Sequence, residues 1–249
     1  MMLDRWNALT ATTPGYFMPE AAATWDALLD FQESSGLRGV LGEIGVYYAK
    51  SASLLALHVR DEELLLLIDQ GFPPEARALL TGLVPPERLR LVQKRSSQIV
   101  SLPEATSLAR RFRWFHIDGE HTGEAVVNDL DLACRWVDDS GIVCLDDFFN
   151  PMYPQVTAAA FHFLARRAYE LTLFLCGHNK GYLCRPMAAP RYLAAIATDL
   201  VSELARRGVR NITVCKTTAP SDMNCFGVTF RFADRDYYGL DSDPSRLLL

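Results

Sequence analysis

The sequence lacks the marks of several large protein classes. A membrane-spanning helix needs about 20 consecutive apolar residues, and a dense apolar run such as Leu64–Ile68 stops at once at Asp69. The start of the chain carries Asp4, Trp6 and Asn7 where a secretory leader needs an apolar stretch. None of the six cysteines stands in a C-x-x-C pair. A zinc site is therefore not expected, and the cysteines read as reduced, buried thiols of a cytoplasmic protein. Basic residues are not concentrated: 25 Lys and Arg face 30 Asp and Glu, for a net charge of −5. The Arg-Arg pairs at 110–111, 166–167 and 206–207 sit on helix-like segments and read as solvated faces. Nucleic acid is not an expected partner. No G-x-G-x-x-G is present and no G-K-[ST], which removes the dinucleotide fingerprint and the P-loop.

What is present is the balance of an ordinary globule with a sizeable core. The chain has 249 residues, 49% hydrophobic and 22% charged, which suits one large α/β domain. Its most informative stretch is Trp114–Asn150. The apolar run Trp114-Phe115-His116-Ile117 stops at Asp118, and the polar turn Gly119-Glu120-His121-Thr122 follows. Apolar residues then recur at Ala125, Val126, Leu130, Leu132, Ala133, Trp136 and Val137, a helical pattern. A second apolar run, Ile142–Leu145, stops at Asp146-Asp147. Two strands joined by such a helix form a right-handed βαβ unit, so both acidic tips reach the same edge of a parallel sheet. Ligands of open α/β sheets bind at that edge. Three carboxylates gathered there repel one another, and a hard divalent cation such as Mg²⁺ or Ca²⁺ relieves the repulsion. The plainer alternative is one helix cap, one solvent-facing Asp and one Asp paired with an arginine.

A second stretch supports a ligand site. A short run from Gly39 ends at Glu43 and turns at Gly45, and a helix is expected from about Tyr48 to Val59 with Ser51 and Ser53 near its start. Strand, glycine turn and helix N-terminus form a cradle, and an acid within it suits a cationic ligand. Asp69 ends the next strand, about where a ribose hydroxyl pair is held in such sheets. Ser96-Ser97 lies at the end of a third strand, Leu89–Val92. Helices are further expected over Glu20–Ser34, Glu75–Gly82, Leu102–Phe112, Val156–Ala168 and Arg191–Arg207. Residues 1–19 read as an arm with short turns, a candidate lid whose default is packing on the surface. Beyond Asn150 the alternation gives way to antiparallel pairing: Leu171–Cys176 and Tyr182–Cys184 form a hairpin whose turn spans His178–Gly181. Asn211–Lys216 and Phe226–Phe232 are two more strands. His116 reads as structural, facing away from Asp118. His58, His162 and His178 read as packing or surface groups, and Lys180 as a turn lysine that could reach a substrate but is by default solvated.

In this order, the Glu43-Ile44-Gly45 turn, Asp69, the Asp118-Gly119-Glu120-His121 segment and Leu145-Asp146-Asp147 resemble the class I S-adenosylmethionine-dependent methyltransferases. The closest likeness is to metal-dependent O-methyltransferases of the macrocin and mycinamicin sugar type, in outline over residues 15–185. The resemblance implies a Rossmann-like, doubly wound and mostly parallel sheet with a C-terminal antiparallel edge hairpin. It divides the chain into an N-terminal arm and helix (1–35), an α/β domain (36–233) and a tail (234–249). It implies that Gly45, Glu43, Ser51, Asp69, Ser96, Ser97 and Asp118 surround S-adenosylmethionine. Asp118, Asp146 and Asp147 would hold Mg²⁺ or another divalent cation, and His121 would be the general base. The implied reaction is methylation of a hydroxyl in a vicinal diol of a sugar or other small molecule, by a cytoplasmic protein that does not bind membranes and could form a homodimer. Two departures stand out: Ala49 replaces a glycine common in the first motif, and Asp139-Ser140-Gly141 replaces the usual Pro-Gly-Gly. The rival readings are a non-catalytic, cofactor-binding homologue and a metal-dependent hydrolase on the same fold. The hydrolase leaves Glu43, Gly45 and Asp69 without a role.

Overall fold

A computed structural model describes residues 1–99, 103–217, 223–230 and 240–241. The expected tail and the end of the last expected strand, residues 231–232, lie outside the described residues, apart from residues 240–241. Among the described residues, ten strands form one sheet: β1 (Val40–Ile44), β2 (Leu65–Asp69), β3 (Leu89–Gln93), β4 (Phe112–Ile117), β5 (Val137–Asp146), β6 (Thr172–Gly177), β7 (Lys180–Cys184), β8 (Ile212–Thr217), β9 (Phe226–Phe230) and β10 (Leu240–Asp241). Their spatial order is β3-β2-β1-β4-β5-β7-β6-β9-β8-β10. The first five in sequence are all parallel. β7 is antiparallel to β5 and β6, and β8 to β9. The antiparallel part thus runs further than one hairpin, because β9 pairs in parallel with β6 and carries the sheet outward.

The helices are α1 (Met2–Thr10), α2 (Pro19–Ser34), α3 (Lys50–Leu57), α4 (Pro74–Leu83), α5 (Pro103–Ser107), α6 (Gly123–Trp136), α7 (Pro154–Arg167) and α8 (Ala189–Arg206). They cover both faces, as parallel strands that are apolar throughout require. One core layer joins α1, α2, α3 and α8 to Leu41, Trp114, Ile142 and Cys184. The other joins α6 and α7 to Phe112, Phe115, Val143 and Leu145.

Three expectations change. Residues 2–10 are a helix rather than part of an arm, because Leu3, Trp6 and Thr10 repeat on one face and are buried. Trp6 Nε1 donates to the Lys50 carbonyl at 2.8 Å, and its ring meets Phe17, which in turn meets Trp25. The helix expected over Leu102–Phe112 is only α5, since Arg110 takes φ 57 and Phe112 is already in β4. No described helix is long and apolar enough to cross a membrane. Among the Arg-Arg pairs, Arg207 is buried rather than solvated, ion-paired to Asp26, Asp30 and Glu203.

Candidate active site

Strand register sets the chemistry out in rows. Leu41, Trp114, Ile142 and Cys184 are side by side across β1, β4, β5 and β7. Side chains on one face recur every second residue, so the next row on the same face is Glu43, His116, Cys144 and Tyr182. The row after that, at the strand tips, holds Gly45, Asp118 and the register pair Asp146 and Lys180. His116, two residues before Asp118, therefore shares its face, which corrects the expectation that it looks away.

At the tip of β1, Gly45 takes φ +82, and a Cβ there would lie 1.7 Å from the Asp118 carbonyl oxygen. The turn after it is held by Asp69: Oδ2 accepts from Val46 N at 2.6 Å and Tyr47 N at 3.0 Å, and Oδ1 accepts from Gly71 N at 2.9 Å. Ala49, where the family favours glycine, sits at φ 64 and is fully buried at the start of α3. Glu43 and Ser51 lie under the turn: Ser51 Oγ donates to Glu43 Oε1 at 2.5 Å, and His116 Nδ1 is 3.0 Å from the same oxygen. Glu43 is fully buried, and neither residue lines the cavity above.

That cavity is about 1520 Å³ and runs along the strand tips. Gly45, Asp69, Ser96, Ser97, Asp118, His121, Asp146 and Asp147 line it together, with Tyr16, Tyr47, Asn150, Tyr153 and Asn179. Pockets for a single small molecule are typically about 300–1,000 Å³. The larger volume leaves room for two ligands side by side.

The carboxylates do converge. One oxygen each of Asp118 and Asp147 and a ring nitrogen of His121 lie within 4.8 Å of one another. His121 follows because Thr122 caps α6, its hydroxyl accepting from Ala125 N, and this brings the preceding turn over the strand tips. His121 Nε2 is 2.5 Å from Asp147 Oδ2 and 3.7 Å from Asp118 Oδ1, and its ring stacks on Tyr153 at 4.2 Å. Hydrogen bonds to Asp118 and Asp147 raise its pKa to about 10. Burial and the charge of Asp146 push Asp118 up to about 7.

Asp146 sits deeper. Its Oδ2 meets the Lys180 ammonium, and His116 Nε2 is 3.6 Å away. Burial favours its neutral form, but Lys180 and His116 outweigh this and hold it well below the usual carboxylate range. Burial opposes charge on His116, yet Glu43 and Asp146 raise it to about 9. Asn179 Nδ2 donates to Asp147 Oδ1 at 2.8 Å and to Asp146 Oδ1 at 3.2 Å, and Asn150 Nδ2 donates to Asp147 Oδ1 at 2.5 Å. His178 and Asn179, at φ 51 and 66, make the two-residue turn of the β6–β7 hairpin, so Gly181 is not a turn residue. It lies within β7, where a Cβ would be 2.8 Å from the Phe148 ring.

Sequence reasoning missed Lys180, Asn179 and Asn150, and misplaced His116. The spacing of His116 and Asp118 could have shown the last, since residues two apart in a strand share a face. Lys180 and Asn179 depend on the antiparallel register of β5 and β7, which a pattern along one chain does not display.

Residues 43–148 match the model of a methyltransferase domain family, Methyltransf_24. No curated protein matches. Among solved structures, the O-methyltransferase NovP is 16% identical with a TM-score of 0.54, over 66% of this chain and 80% of that one. CalS11, a TDP-rhamnose 3′-O-methyltransferase of calicheamicin biosynthesis, is 17% identical with a TM-score of 0.51, over 73% of this chain and 92% of that one. Residues 43–148 thus resemble a methyltransferase domain, and the sheet shares its fold with these O-methyltransferase structures.

Proposed function

We propose that the protein is an S-adenosylmethionine-dependent O-methyltransferase acting on a hydroxyl of a small vicinal diol, a sugar or another natural product. The observation that carries this reading is the cavity. One continuous space touches the Gly45 turn, Asp69 and Ser96-Ser97 on one side and Asp118, His121 and Asp147 on the other. The donor fits the first side. Asp69 has both oxygens engaged by backbone N–H groups, yet each carboxylate oxygen accepts more than one hydrogen bond, so a ribose hydroxyl can still be received.

The acceptor side fits a hard cation. Asp118, Asp146 and Asp147 supply oxygen ligands of the kind Mg²⁺ prefers. Burial first, and the charge of Asp146 after it, raise the pKa of Asp118, and the basic side chains that meet the cluster, His121, Lys180 and His116, sit against its carboxylates where a cation would. When bound there, a divalent ion would neutralise Asp118 and Asp147, free His121 to accept a proton, and lower the pKa of a hydroxyl at the site.

Methyl transfer from a sulfonium is an in-line displacement: the acceptor O–CH₃ bond forms as the S–CH₃ bond breaks, and sulfur keeps the electron pair. The chain's part is to hold acceptor oxygen, methyl carbon and sulfur in line, and such positioning supplies much of the rate. His121 takes the hydroxyl proton on Nε2, oriented by Tyr153 against its ring. Calorimetry with S-adenosylmethionine, followed by methyl-transfer assays on polyol and catechol acceptors with Mg²⁺ and then EDTA, tests the reading. Absence of donor binding would remove it. Donor binding without transfer to any diol would favour a non-catalytic, cofactor-binding homologue.

A further inference from the structure

Lys180 is 3% exposed, an unusual place for a lysine without a partner. It opens β7 directly opposite Asp146 in register, with its ammonium on Asp146 Oδ2. The same nitrogen lies 5.3 Å from the centre of the Phe17 ring, and Phe17 is fixed between Trp6 and Trp25. The lysine is thus packed in place by the N-terminal segment. The other oxygen of Asp146 is also occupied, since Oδ1 accepts from Asp147 N at 2.7 Å and from Asn179 Nδ2. A cation that uses Asp146 must therefore take the oxygen that Lys180 holds.

We propose that Lys180 is a built-in counter-cation of Asp146 that competes with a divalent metal for this carboxylate. It keeps the acidic cluster assembled while the metal is away, and it weakens metal affinity because the ammonium must be displaced or share the oxygen with a second positive charge. His121 has a comparable position between Asp118 and Asp147, but its side chain is about a third exposed. Lys180 is enclosed, so its competition is part of the fold. Lys180 is a positioning residue here, acting through Asp146. The inference rests on the reading of the three carboxylates as a metal site.

The test is titration of the full chain with Mn²⁺, which takes the same hard oxygen ligands as Mg²⁺, without donor or acceptor. Binding is measured by calorimetry and melting temperature by circular dichroism. Lys180→Met is expected to bind Mn²⁺ at least ten-fold tighter than the wild type. Its melting temperature should fall in EDTA and recover on adding Mn²⁺, because the metal then replaces the lost cation. Lys180→Met combined with Asp146→Asn should lose the gain. Should Lys180→Met not fold in EDTA, Lys180→Gln, which keeps a neutral donor to Asp146, must show the same gain. Equal or weaker Mn²⁺ affinity in a folded Lys180 variant overturns the inference. If neither the wild type nor the variants bind Mn²⁺, the metal reading falls with it, whereas calorimetry with S-adenosylmethionine reads the methyltransferase assignment separately.

Discussion

The α-carbon of Gly45 faces the carbonyl of Asp118 so closely that an added Cβ would stand 1.7 Å from the oxygen. Two strand tips, one on the donor side and one carrying the first acid, are in backbone contact with no side chain between them. Gly45→Ala must separate them and must also place alanine at φ +82, a conformation that costs an L-residue roughly 1–2 kcal/mol. Overpacking adds roughly 1–3 kcal/mol. The expected outcome is a loss of about 2–5 kcal/mol in a denaturant melt and at least ten-fold weaker donor binding. An alanine variant with wild-type stability would show that the tips do not meet.

Replacing His121 by alanine should slow the chemical step by roughly 10²–10⁴-fold, the usual worth of a positioned base. Donor affinity should stay within a few-fold, because His121 touches Asp118, Asp147 and Tyr153 and no part of the Gly45 turn. Single-turnover kinetics with pre-bound donor separate the two effects. A large loss of donor binding with an unchanged chemical step would assign His121 to the wrong side of the cavity.

Asp147→Ala should reduce turnover at least 10²-fold while leaving donor binding largely intact. Asp147 accepts from Asn150 and Asn179 and pairs with His121, all on the acceptor side. Equal losses of turnover and donor affinity would speak against a metal or acceptor role. Mn²⁺ titration of the same variant gives an independent readout and should show weakened binding.

Asp129 gives a pH dependence away from the carboxylate cluster. It is buried in α6, and burial raises its pKa to about 6 despite hydrogen bonds from Ser96 and Asn128. The folded pKa lies above the unfolded one, so the native state prefers the protonated acid. The stability this gives is complete below about pH 4 and is lost as pH rises through 6. Asp129→Asn, which is neutral throughout, should therefore stabilise the protein by about 1–3 kcal/mol at pH 8 and little at pH 4. Urea midpoints at the two pH values decide it; a stabilisation that is the same at both would contradict the shift.

Much of the parallel half was legible because β1, β2, β4 and β5 each carry an apolar run ended by an acid or a glycine. Asp118 and Asp146-Asp147 stand at strand ends in the sequence, and parallel pairing alone brings those ends together. The turn at Gly45 was equally visible. The two carboxylates around it were read as donor contacts: Glu43 is below the surface on Ser51 and His116, whereas Asp69 lines the cavity while also holding the backbone of the turn. One residue's position in a strand says which face it takes, not whether another side chain already fills its bonds. The N-terminal helix was obscured by the threonines, Pro14 and Gly15 that follow it, although Leu3, Trp6 and Thr10 carry its buried stripe. Lys180 was hidden most fully, since its burial depends on Asp146 across β7 and on Phe17 from the other end of the chain.

The reversed direction of β7 has a consequence for how this molecule can diversify. A parallel strand in that place would send its starting end to the far side of the sheet; β7 instead begins at the rim, directly after His178-Asn179, and so delivers Asn179 and Lys180 to the acids of β5. On the proposed reading, the β6–β7 hairpin is therefore a tuning element for the acceptor half, separate from the amino-terminal strands around the Gly45 turn. If the carboxylates hold a metal as proposed, exchanging residues 178–180 between relatives would alter ion preference while the Gly45 turn kept its shape.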